Sequence, residues 1–218
     1  ASKGACVACS YLGNVGFMGI PVMQMLFPGN SDLVLYTVIY NIAFNAMTWT
    51  LGVFAITGDR KRINPLKIIL NPPTIAVIIA LPFFFCNVVI PEQVMTPIEY
   101  LGDMTLPLSM IILGVRLADM KLISLVNNVK VYLVAFVKLV LSPLLSLGVL
   151  LLVDLIVPLD RFVIIALYVI SAMPSASSAL NFAEMYEGDR ETAAAATLMN
   201  TILCILTIPI LMMLCELV

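Results

Sequence analysis

Gly13-Asn14-Val15-Gly16-Phe17-Met18-Gly19-Ile20-Pro21 and Ser171-Ala172-Met173-Pro174-Ser175-Ala176-Ser177-Ser178 are two polar, glycine- and proline-bearing interruptions inside otherwise apolar stretches. A helix that crosses a bilayer satisfies its own backbone. One that breaks at mid-depth frees N–H and C=O groups that lipid cannot pair, so the break persists only where protein covers it or it lines a cavity. A pair of interrupted spans in corresponding places is the sequence mark of a ligand site near the bilayer midplane. The two stretches therefore predict spans interrupted near Gly16–Pro21 and Pro174–Ser178, with the breaks close together.

Composition supports the membrane reading independently. Of 218 residues, 62% are hydrophobic and 11% charged, and the mean hydropathy is +1.10. Soluble domains run about 45–50% apolar and about 25% charged. A net charge of −2 gives nucleic acid nothing to bind, and with no histidine any proton relay would use carboxylates. Cys6 and Cys9 have redox or metal spacing, but no second pair and no histidine completes a zinc site. The five cysteines read as ordinary helix residues, the 13 methionines as packing and lipid-facing positions. No metal or cofactor is expected. The chain opens at Ala1 without an initiator methionine or basic leader and reads as an internal start.

Stretches of about 20 apolar residues fit a bilayer core, and seven can be placed: 5–27, 33–57, 68–90, 97–117, 131–153, 161–183 and 193–217. Short loops join them, which predicts one compact helical domain. One set of loops holds Lys3, Arg60, Lys61, Arg62, Lys67, Arg116, Lys121, Lys130 and Arg190; the opposite set holds only Arg161. By the positive-inside rule the basic loop at 58–67 is cytoplasmic. Aligning Gly29 with Gly188 brings Phe27 onto Tyr186, Asn41 onto Asn200 and Thr48 onto Thr207. The offset spans five helices, an odd number, so the repeated units would be inverted.

Half-helix amino termini carry unpaired N–H groups and the positive end of a helix dipole, which suits an anion. Gly16 and Gly19 allow close backbone approach, while Pro21 and Pro174 each remove a donor. Asn14, Ser175, Ser177 and Ser178 add short neutral donors. Small residues alone also serve tight helix packing, but two such clusters in matching places favour a substrate site. Lys138 lies inside a span, where its stem either snorkels to the interface or presents a cation inward for charge pairing or coupling. Asp103, near the outer end of the fourth span, is a second candidate for that charge role, or a helix cap. Glu184, Glu187 and Asp189 read as a solvated helix end.

These residues carry a family likeness. Asn14 to Pro21, followed by Phe27 and Gly29, resembles the first crossing helix of the auxin efflux carrier family, which includes plant PIN-type carriers and bacterial malonate-type permeases. Ala172 to Ala176, with Ala183, Tyr186, Gly188 and Asp189, resembles its second crossing helix, and Pro107-Leu108 with Gly114 also fits. The resemblance implies two inverted five-helix repeats whose broken helices cross near the midplane. On that plan residues 1–57 are the last two helices of the first repeat and 68–218 the complete second repeat; the first three helices are lacking. It implies a small organic anion, an auxin- or malonate-like carboxylate, as substrate, alternating access as mechanism, and a bacterial inner membrane as location. A homodimer is compatible with it. Where the family often has an asparagine after the second crossing proline this chain has Ser178, and Asn181 follows one turn later.

Three other classes compete with a carrier. A sodium-coupled symporter of the bile-acid type needs clustered ligands near the crossing, and only Asn14, Asn181 and Gln24 offer themselves. An intramembrane aspartyl protease needs a second membrane aspartate beside Asp103, and none is evident. A sensor that binds the anion without moving it is the third reading. No enzyme is expected.

Overall fold

The computed structural model describes residues 2–59, 70, 72–86, 88–118 and 128–215, and its regular elements are all helices. The basic loop predicted to face the cytoplasm falls largely at 60–69, outside the described residues.

The first apolar stretch, 5–27, is not one helix. Helix α1 (Ser2–Tyr11) stops, the chain turns tightly at Asn14, where the Val15 N–H donates to the Gly13 carbonyl at 2.9 Å, and Val15–Gly19 winds as a π-turn into α2 (Ile20–Leu26). The break thus sits at 12–14, upstream of the predicted Gly16–Pro21. Pro21 is the seventh residue of the continuous helical run Val15–Leu26, and its missing N–H falls where the π-turn passes into α2. The sixth stretch, 161–183, breaks where expected: α10 (Arg161–Ser171) ends before Pro174, and α11 (Ser177–Met185) begins after Ala176.

Among the described residues, three stretches are continuous, long and apolar enough to cross a membrane, at Asp32–Thr57, Val129–Asp154 and Arg190–Met213. The first is α3 (Ser31–Met47), a π-turn (Thr48–Gly52) and α4 (Val53–Thr57). Asn30 caps its start by accepting from the Leu33 N–H at 3.3 Å, and Gly58 ends it at φ 67, a conformation that favours glycine. Between it and the second long helix lie α5 (Pro72–Phe85), α6 (Glu92–Asp103) and α7 (Thr105–Ala118). The fourth expected span, 97–117, is therefore divided at Met104, an interruption the apolar pattern did not signal. The second long helix is α8 (Val129–Phe136), a π-turn (Val137–Leu141) and α9 (Ser142–Asp154); the third is α12 (Arg190–Cys215).

The core gathers around the two breaks. Ala5, Ala8 and Cys9 of α1 pack with Ala179 and Ala183 of α11 and Ala193 and Ala196 of α12. Alanine at each contact lets the backbones approach, the usual means of helix association in lipid. A second cluster joins Val15 and Met23 to Leu33 of α3 and to Ala166, Val169 and Ile170 of α10. The outside is apolar too: Ile78 and Ile79, Leu152 and Leu155, Ile205 and Leu206 are all exposed. A soluble protein does not expose this much aliphatic surface, whereas a lipid-facing one does.

Candidate crossing site

Each break satisfies the other. The Asn14 N–H donates to the Pro174 carbonyl at 2.8 Å, and the Ala176 N–H donates to the Leu12 carbonyl at 2.9 Å. Gly13 and Ser175 thus form an isolated antiparallel bridge where the two interrupted segments cross. Leaving either buried group unpaired would cost about 1–3 kcal/mol.

Ser175 fastens the crossing from behind. It is buried; its hydroxyl donates to the Cys9 carbonyl and accepts from Asn200 Nδ2. Asn200 is fully buried, and its Oδ1 has no partner among the described residues. From α3, Asn41 Nδ2 lies 3.3 Å from where a Cβ on Gly16 would stand. A side chain at residue 16 would require the Asn41 amide to give by a few tenths of an ångström. Under the alignment of Gly29 with Gly188, Gly16 falls on Ser175 and Asn41 on Asn200. An asparagine therefore sits against the same relative position of each break.

In front of the crossing is a cavity of about 310 Å³. Gly13 to Phe17 and Ile20 form one wall, Asn41, Phe44, Asn45 and Thr48 a second, Ala176 to Ser178 a third, with Thr105 at the edge. Among the described residues no lining side chain carries a formal charge. Two half-helix amino termini open on it. Met18 and Gly19 N–H groups close onto the Asn14 carbonyl, and Ala179 N–H onto the Ala176 carbonyl. The N–H groups of Gly16, Phe17, Ser177 and Ser178 donate to nothing among the described residues. Asn14 is buried without a capping bond from its side chain. The cavity therefore offers several neutral donors and two positive dipole ends, the recipe for holding an anion without a fixed charge.

The expected site residues divide accordingly. Asn14, Gly16, Ser177 and Ser178 line the cavity. Pro174 and Ser175 hold the crossing behind it, and Gly19 packs beside Met173, whose Cγ would be 3.6 Å from an added Cβ. Pro21 and Asn181 are not brought to the cavity, and Asn181 is exposed on α11. Asp103 is exposed at the end of α6, also away from it. Lys138 does not snorkel: it is 3% exposed, with Nζ 3.2 Å from the position of a Gly13 Cβ. Asp189 is more than a solvated helix end, since it caps α12 through Thr192 N at 2.9 Å and Thr192 Oγ1 at 2.7 Å.

Asn41, Asn45 and Thr48 were missed as site residues. The signal was present in their spacing, since positions four and three apart fall on one helix face, and amides are costly in an apolar span. A larger groove, about 740 Å³, runs between α1 and α8–α9. Apart from Ser2, Lys3 and Lys130 at one end and Ser10 and Ser142 within it, its lining is mostly apolar. The polar backbone groups converge on the smaller cavity, which is the candidate site.

A family model described as membrane transport protein matches the chain over residues 1–65 and 59–212. No curated protein matches it.

Proposed function

The chain belongs to the membrane transport protein family, that of the auxin efflux carriers, and from this premise we propose that it moves small organic anions across the bilayer by alternating access, holding the carboxylate at the crossing. It is an integral membrane protein of a transport family, not an enzyme family. The observation that carries the substrate class is the convergence, on one cavity, of the Asn14 amide and four backbone N–H groups that have no partner among the described residues. Such donors replace part of a carboxylate's hydration.

Seven crossings, an inverted repeat and a cytoplasmic 58–67 loop in a bacterial inner membrane belong to the same proposal. The matched placing of Asn41 against Gly16 and of Asn200 against Ser175 supports the repeat. Lysine and arginine bias supports the orientation, and labelling single cysteines at positions 61 and 93 of intact cells tests it. Reagent from outside should reach position 93 and not position 61; the reverse would overturn the orientation. A homodimer is part of the proposal, tested by the mass of the detergent-solubilised protein.

The test of function is uptake of radiolabelled malonate and indole-3-acetate into proteoliposomes. Asn14→Ala should weaken saturable uptake by roughly ten- to a hundredfold, the worth of one hydrogen bond to a charged group. The lipid-facing change Leu152→Ala should leave it unaltered. Equal uptake by Asn14→Ala and wild type would place the anion elsewhere.

A further inference from the structure

Lys138 is buried on the π-turn Val137–Leu141 and makes no hydrogen bond or ion pair among the described residues. Its ammonium stands where a side chain on Gly13 would be, and Gly13 also borders the cavity. Helix α1 ends at this point with its carbonyls unfinished. The N–H groups that would close the Ser10 and Tyr11 carbonyls belong to Asn14 and Val15, and they turn instead to Pro174 and Gly13. A half-helix carboxyl end is the negative pole of its dipole, and in carriers built on discontinuous helices such ends coordinate a coupling cation. A lysine held inside a membrane-spanning helix is costly and is retained where it acts. Lysine fits the role, being a compact point charge on a flexible stem.

We propose that Lys138 is a tethered cation standing in the place of a mobile coupling ion: it sits behind the crossing, an anion entering the cavity completes a neutral pair across Gly13, and uptake needs no sodium. This rests on the anion-carrier reading above and adds to it the means of charge compensation.

The experiment uses the full chain in proteoliposomes and in detergent, with malonate as probe, and the variants Lys138→Ala, Lys138→Met and Lys138→Arg. Wild type should melt at the same temperature in sodium, ethylammonium and N-methylglucammonium chloride. Lys138→Ala should melt lower and recover in ethylammonium alone, which can fill the vacated place. Malonate uptake by wild type should be the same with and without sodium. It should fall roughly tenfold in Lys138→Ala and Lys138→Met, the size of a typical coupling between two sites, and be largely kept in Lys138→Arg. If Lys138→Ala does not fold, Lys138→Met decides, because it keeps the volume while removing the charge. Sodium-dependent stability or uptake in wild type, or full uptake by Lys138→Met, overturns the proposal. If the melts follow the expected pattern while no version takes up malonate, the cation site stands and the anion-carrier reading fails.

Discussion

Ser175 shows how one small residue can hold two spans together. Its hydroxyl both donates to Cys9 and accepts from Asn200, so three helical segments meet on one oxygen. Ser175→Ala removes no volume of consequence yet strands a carbonyl and an amide in a dry interior. The expected cost is about 1–3 kcal/mol, read as a lower melting temperature of the purified protein. Replacing Ser10 by Ala removes one local bond to the Cys6 carbonyl and should cost less. Equal melting of the two variants would remove Ser175 from the fastening role. The sequence marked Ser175 as a polar residue in a break, but not which way it faces. Side-chain donors in a cluster such as Ser175, Ser177 and Ser178 are alike in type. Only the pairing of Gly13 with Ser175 sorts the fastener from the two that line the cavity. Asn200 was legible only as a repeat match, because its partner lies 25 positions away, in the break between α10 and α11.

Elements were legible where backbone chemistry is local. Pro174 cannot donate, and the break fell beside it; Asn30 and Asp160 precede apolar runs and cap them. The first break was displaced because glycine permits several conformations, and the three glycines of 13–19 do not say which of them the chain will use to turn. The cap on α12 has a pH signature. Partial burial raises the Asp189 pKa, but the Thr192 N–H and hydroxyl bonds outweigh it, so the carboxyl lies below its ordinary value. A lowered folded-state value means the cap's contribution is complete above the unfolded carboxylate's pKa and is lost as pH falls through the folded one. Asp189→Ala should cost about 0.5–2 kcal/mol near neutral pH. That difference in melting temperature from wild type should shrink on acidification below pH 4. A difference independent of pH would mean that the carboxylate's charge is not what caps the helix.

At the scale of the molecule, hydropathy alone gave the membrane class, since nothing soluble carries so much exposed aliphatic surface. The cavity itself was beyond such reading, because its walls come from segments some 160 residues apart that touch only after folding. The reciprocal pairing of the breaks has a consequence for the order of synthesis. Leu12 and Asn14 leave the ribosome long before Pro174 and Ala176, the partners of their carbonyl and N–H groups. At ordinary elongation rates that wait is about ten to thirty seconds, during which a broken helix must be sheltered from lipid by the insertion machinery or by a chaperone. Nascent chains halted before residue 171 should therefore remain bound to that machinery or be degraded, and chains extended past residue 185 should be released and persist. Pulse-labelled truncations would show the boundary. Release at equal rates on either side of it would mean that the first crossing segment matures without the second.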